Sequence, residues 1–147
     1  TSDTMLTCWR VSAFSTLLDV GTDLTAFAAR GGKLLLAHGT SDVLVSARAT
    51  EQYYQRLQAQ MGPARVDTFV RYYEVPGYGH AVSTVFNATW DSLTALENWV
   101  EKGVAPKDQI TTDTVGVPGR KRPLCEYPAW PRYRGAGDVN AAESFVC

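Results

Sequence analysis

Residues 33–38 read Lys-Leu-Leu-Leu-Ala-His, four consecutive apolar positions set between Gly31-Gly32 and Gly39. Successive side chains of a strand point to opposite faces, so a short unbroken apolar run needs cover on both. That pattern belongs to a strand inside a parallel sheet, with helices above and below. A second strand spans residues 69–75 (Phe-Val-Arg-Tyr-Tyr-Glu-Val) and ends at Pro76-Gly77. Between the two, a helix from Ser46 carries Ala49, Tyr53, Tyr54, Leu57 and Met61 on one face and stops at Gly62-Pro63. An earlier helix, capped by Thr22 or Asp23, places Leu24, Phe27 and Ala28 together. A later one, capped by Asp91, aligns Leu93, Leu96, Trp99 and Val100 and stops at Gly103, before Ala105-Pro106.

The order helix, strand, helix, strand, helix implies an α/β fold. Two parallel strands do not make a sheet covered on all sides, and apolar edges of this kind are adhesive. The expectation is therefore the C-terminal portion of a larger α/β domain: an irregular lead-in over 1–22, a sheet-and-helix part over 23–103, and a tail over 104–147. The missing N-terminal part of the same protein is the expected partner. The tail is rich in Pro and Gly and has no helical period until 138–145, which reads as a short last helix. Cys125 and Cys147 lie 22 residues apart, a loop suited to a disulfide that pins the tail, two free thiols being the alternative. Cys8 is left over, and the cysteine usage tilts toward an oxidising compartment.

Charge excludes some partners. With 14 basic and 15 acidic residues, the chain offers no concentrated basic face for nucleic acid or an anionic membrane. The one basic cluster, Arg120-Lys121-Arg122, is short and runs into Pro123, which reads as a solvated loop. No run approaches the length of a membrane span. No Cys-x-x-Cys, zinc spacing or Gly-rich phosphate loop occurs, so no metal or cofactor is expected. Asn87-Ala88-Thr89 matches a glycosylation acceptor, a string common by chance.

Two loops leave the carboxyl ends of the strands, the edge where open α/β sheets hold their sites. One is His38-Gly39-Thr40-Ser41-Asp42 and the other Pro76-Gly77-Tyr78-Gly79-His80. An Asp after one strand and a His after the next is the order in which α/β-hydrolases supply the last two members of a Ser-His-Asp triad. Taken singly, Asp42 also reads as a turn former, His80 as a loop histidine and His38 as a structural residue. No Gly-x-Ser-x-Gly string is present, so the expected nucleophile lies upstream and the chain alone is expected to be inactive. Ser41 and Ser83 are the nearest serines to the pair.

The string from Asp23 to Asp42, ending Lys-Leu-Leu-Leu-Ala-His-Gly-Thr-Ser-Asp, resembles the triad-Asp segment of the tannase and feruloyl esterase family. Tyr73-Glu-Val-Pro-Gly-Tyr-Gly-His80, Leu96-Glu-Asn-Trp-Val-Glu-Lys-Gly-Val-Ala-Pro106, Arg122-Pro-Leu-Cys-Glu-Tyr-Pro128 and Tyr133-Arg-Gly-Ala-Gly-Asp-Val-Asn140 are similar to later segments of the same family. The resemblance implies a secreted or periplasmic serine esterase acting on small esters of aromatic acids, without a cofactor. It makes Asp42 the triad acid, His80 the base, and Cys125–Cys147 the terminal disulfide. The common family pattern has Cys directly after the triad His; here that position is Ala81. The reading from a different class is an inactive hydrolase-like domain that binds glycans or polyphenols through exposed Trp and Tyr.

Overall fold

The computed structural model describes residues 20–147. The lead-in up to residue 19, with Cys8 and its expected unpaired state, lies outside the described residues. Helix α1 (Thr25–Ala29) leads into β1 (Leu34–Gly39), followed by α2 (Ala47–Met61), a short α3 (Pro63–Val66) and β2 (Val70–Val75). Strands β1 and β2 are parallel, with Leu34 opposite Val70 and Gly39 opposite Val75. Asp23 accepts the Thr25 amide at 2.9 Å, while the Thr22 hydroxyl turns to Gln60 instead. Gly62 ends α2 with φ at 84°, and Pro63 then opens α3, because its fixed φ suits a first helical position.

Both faces of the pair are covered, as the apolar run demands. On one face Leu34, Leu36, Val70 and Tyr72 pack with Phe27, Tyr54, Leu57, Val66 and Phe69. On the other, Leu35, Tyr73 and Val75 meet Phe86, Trp90 and Leu124. Helix α4 (Ser92–Lys102) begins where the Asp91 carboxylate accepts the Thr94 amide and ends at Gly103 in the left-handed region, φ 69°. Its Trp99 is buried, with Lys33 and Arg71 5.2 and 5.1 Å from the indole centroid.

The tail follows an irregular course with short strands set into it. Strands β3 (Ala88–Thr89), β4 (Ile110–Asp113) and β5 (Lys121–Pro123) form an antiparallel sheet, and β6 (Arg132–Tyr133) pairs with β7 (Phe145–Val146). The expected helix over 138–145 is a single 3₁₀ turn, Ala142–Ser144, before the chain extends into β7. A disulfide joins Cys125 to Cys147 with Cα atoms 5.3 Å apart. Arg120-Lys121-Arg122 is not a solvated loop. Arg120 reaches the fully buried carboxylate of Asp113 at 2.7 Å, and Arg122 lies 4.1 Å over the Phe145 ring. Asp113 also accepts four amides, from Asn87, Val115, Gly116 and Val117. Burial works against its charge, but those amides prevail and hold it well below the usual carboxylate range.

Candidate active site

The two loops at the carboxyl ends of β1 and β2 meet. Gly39 is buried at the end of β1 because the second loop passes directly over it: a Cβ there would lie 2.2 Å from the Tyr78 carbonyl oxygen. The loops are stitched by the Thr40 amide to Val75 O (3.1 Å) and the Ser41 amide to Tyr78 O (3.0 Å). The Gly77 amide adds a bond to the Thr40 hydroxyl at 3.3 Å. Tyr78 donates its hydroxyl to Ala81 O at 2.7 Å, and Ser83 Oγ donates to Gly77 O at 3.0 Å, which fixes the loop around His80.

Asp42 and His80 face each other across this seam, with Oδ2 2.9 Å from Nδ1. The Asp42 side chain is 5 % exposed and that of His80 49 %. Asp42 Oδ1 accepts the amides of Leu44 and Val45, both at 2.9 Å. The Val45 amide is the largest influence holding the carboxyl well below the usual range, against partial burial and with help from His80 and the Leu44 amide. An ionised Asp42 accepting at Nδ1 requires that nitrogen to carry a proton, so Nε2 of His80 is left basic. The pair borders an apolar cavity of about 370 Å³ formed by Val45, Val75, Tyr78, Ala88, Trp90 and Leu124, among others.

Of the two serines named from sequence, Ser83 is committed elsewhere. Ser83 Oγ is engaged in the turn, donating to Gly77 O and accepting the Val85 and Phe86 amides. Ser41 is exposed beside Asp42 and contributes its amide to the seam. The Asn87 side chain of the glycosylation string is tied to the Ser83 amide and to the Thr114 hydroxyl. His38, read from sequence as a structural residue, is in the site's immediate surroundings. Its Nδ1 lies 2.7 Å from Thr50 Oγ1, and its Nε2 lies 3.1 Å from Val45 O and 3.3 Å from Asp42 Oδ2. Strand alternation carries the signal for this, since His38 shares a face with Leu34 and Leu36 and so turns toward α2.

Parallel strands sandwiched by helices, with an aspartate and a histidine joined beyond their carboxyl ends, define a portion of an α/β-hydrolase fold. The model of one family, tannase and feruloyl esterase, matches residues 5–147, and the chain belongs to that family. It is 47 % identical over 131 residues to mono(2-hydroxyethyl) terephthalate hydrolase of Piscinibacter sakaiensis, covering 86 % of this chain and 21 % of that one. It is 43 % identical over 128 residues to an uncharacterized esterase of Agrobacterium fabrum, covering 86 % and 23 %. Among solved structures, feruloyl esterase B from Aspergillus oryzae superposes with a TM-score of 0.78 at 27 % identity, over 86 % of this chain and 29 % of that one. Tannin acyl hydrolase from Aspergillus niger gives 0.69 at 25 %, over 82 % and 24 %. These relatives are ester hydrolases by name, and the chain spans less than a quarter of the length of the two curated ones.

Proposed function

We propose that Asp42 and His80 are the acid and base of a Ser-His-Asp triad in a carboxylic ester hydrolase acting on esters of aromatic acids. The observation that carries this reading is the 2.9 Å contact between Asp42 Oδ2 and His80 Nδ1. Asp42 holds the imidazole in the Nδ1–H tautomer and stabilises the imidazolium that forms. His80 Nε2 takes the proton of a serine hydroxyl as it attacks the ester carbonyl, and returns it to the departing alkoxide. On this reading the serine lies upstream of these residues; the lack of a Gly-x-Ser-x-Gly string and the engagement of Ser83 in its own turn support it. The edge of β1 that has no strand partner among the described residues, and the apolar cavity beside the pair, suit the part of the protein that would supply it. The disulfide suits a secreted or periplasmic protein. Aromatic acyl groups are favoured by what the relatives are named for.

A fluorophosphonate probe tests this reading. The full-length protein should label at one serine outside these residues, and the 147-residue chain should stay unlabelled. Stoichiometric labelling of Ser41 or Ser83 overturns the assignment. An unlabelled full-length protein supports instead an inactive binding domain.

A further inference from the structure

We propose that His38 is a positioning residue for the Asp42–His80 pair, acting through the Asp42–Val45 turn as a neutral imidazole with its proton on Nε2. The inference rests on the reading of Asp42 and His80 as the triad's acid and base.

The two acceptors around His38 Nε2 set the tautomer. Val45 O at 3.1 Å and Asp42 Oδ2 at 3.3 Å both offer lone pairs, so the nitrogen between them carries the hydrogen. In the neutral ring Nδ1 is then a bare lone pair, and it meets Thr50 Oγ1 at 2.7 Å, a hydroxyl free to rotate and donate. Thr50 sits in the first turns of α2, a rigid support, so the ring is held from the far side by a helix. The result is a closed circuit. His38 Nε2–H holds the Val45 carbonyl, the Val45 amide holds Asp42 Oδ1, and Asp42 Oδ2 holds His80.

This circuit bears on Asp42 in two ways. Val45 is an exposed residue in a loop, and among the described residues His38 is what holds its carbonyl while the Asp42 carboxylate holds its amide. The donor edge of His38 also lies 3.3 Å from Oδ2, the oxygen that receives His80, so a second N–H stands beside the oxygen the triad uses. His38 is 12 % exposed, which keeps water from substituting for that edge. It touches neither substrate nor the reacting atoms, and its contribution is orientation of the acid.

The chain has only two histidines, so ¹⁵N-histidine labelling gives a spectrum of two imidazoles. Long-range ¹H–¹⁵N correlation of the 147-residue chain at pH 7 should show His38 as the Nε2–H tautomer and His80 as the Nδ1–H tautomer. In His38→Leu the single-tautomer pattern of His80 should be lost to a mixture. In His38→Gln, whose terminal amide carries an N–H at the reach of Nε2, it should be kept. In Thr50→Val the Nε2–H pattern of His38 should be kept, because both acceptors at Nε2 remain, and a switch to Nδ1–H there also overturns the proposal. His38 found as Nδ1–H or as an imidazolium overturns the proposal. So does a His80 pattern unchanged in His38→Leu, or equally lost in His38→Gln when circular dichroism shows both variants folded. A wild-type His80 without a proton on Nδ1 instead counts against the triad reading itself, which separates the two failures.

Discussion

Replacing Gly39 by Ala should separate the two loops of the candidate site. The added Cβ would lie 2.2 Å from Tyr78 O, 2.6 Å from Tyr78 C and 2.8 Å from Gly79 O, where ordinary contact begins at 3.4 Å. The obstacle is backbone, which has no rotamer to change, so the loops must part by about 1.2 Å (3.4 − 2.2). Passed on in full, that opening carries the Asp42–His80 contact from 2.9 Å to about 4.1 Å, outside hydrogen-bond range. Overpacking of this kind costs about 1–3 kcal/mol. With an unfolding entropy of about 0.3 kcal/mol per kelvin for a chain of this length, the expected fall in Tm is about 3–10 °C. Thermal unfolding followed by circular dichroism reads the stability, and the Nδ1–H signal of His80 reads the contact. Gly21→Ala is the control, since nothing lies within 4 Å of its Cβ position. A Gly39→Ala chain with unchanged Tm and an intact His80 signal would refute the reasoning.

Asp113→Asn should destabilise by roughly 3 kcal/mol or more, because it strips a buried pair of its charge and leaves Arg120 without a counter-ion; urea denaturation checks this, and a change below about 1 kcal/mol counts against it. Reducing the Cys125–Cys147 disulfide releases a 22-residue closure and should cost about 3 kcal/mol, or about 10 °C in Tm; scanning with and without reductant measures it, and coincident traces reject it. On the triad reading, Asp42→Asn in the full-length protein should lower kcat for ester hydrolysis by several powers of ten, about 10⁴ in serine proteases, by favouring the wrong tautomer. A loss under tenfold would leave Asp42 a turn former. The Asp42 carboxyl is depressed in the folded chain, so its stabilising charge is present above the unfolded value of about 3.9 and is lost as pH falls through the lower folded value. A carboxyl ¹³C titration should therefore show no Asp42 protonation between pH 8 and 5, and a midpoint above about 4 would contradict the geometry.

The strands, their order and the Asp42–His80 pair were legible because each rests on a local signal. Four apolar residues in a row reveal a strand with two covered faces, and glycine with a polar residue after each strand reveals the loop. The tail was less legible for a physical reason. Its turn over 113–120 is organised by one carboxylate that gathers amides from Val115, Gly116 and Val117 and from Asn87, 26 residues earlier, and such a hub leaves no period in the sequence. The basic triplet misled for the same reason. Its arginines are committed to Asp113 and to the Phe145 ring, partners that only the folded tail brings near. His38 showed a face but not a neighbour, because the contact with Asp42 depends on how the next loop turns back.

The tail also meets β2 from the side away from β1: Glu126 bridges Tyr73, and the Tyr127 amide donates to Tyr72 O at 2.8 Å. Those bonds occupy backbone groups that would otherwise present a template for another chain, while β1 has β2 as its sole strand neighbour among the described residues. Among the described residues, growth of the sheet is thus polar, blocked at one border and open at the other. Leu34–Gly39 is, among the described residues, the border of this pair at which a further strand, from the same protein or from a stray copy, can join. The segment that delivers Asp42 is therefore also the one that, among the described residues, keeps a backbone border open to a further strand.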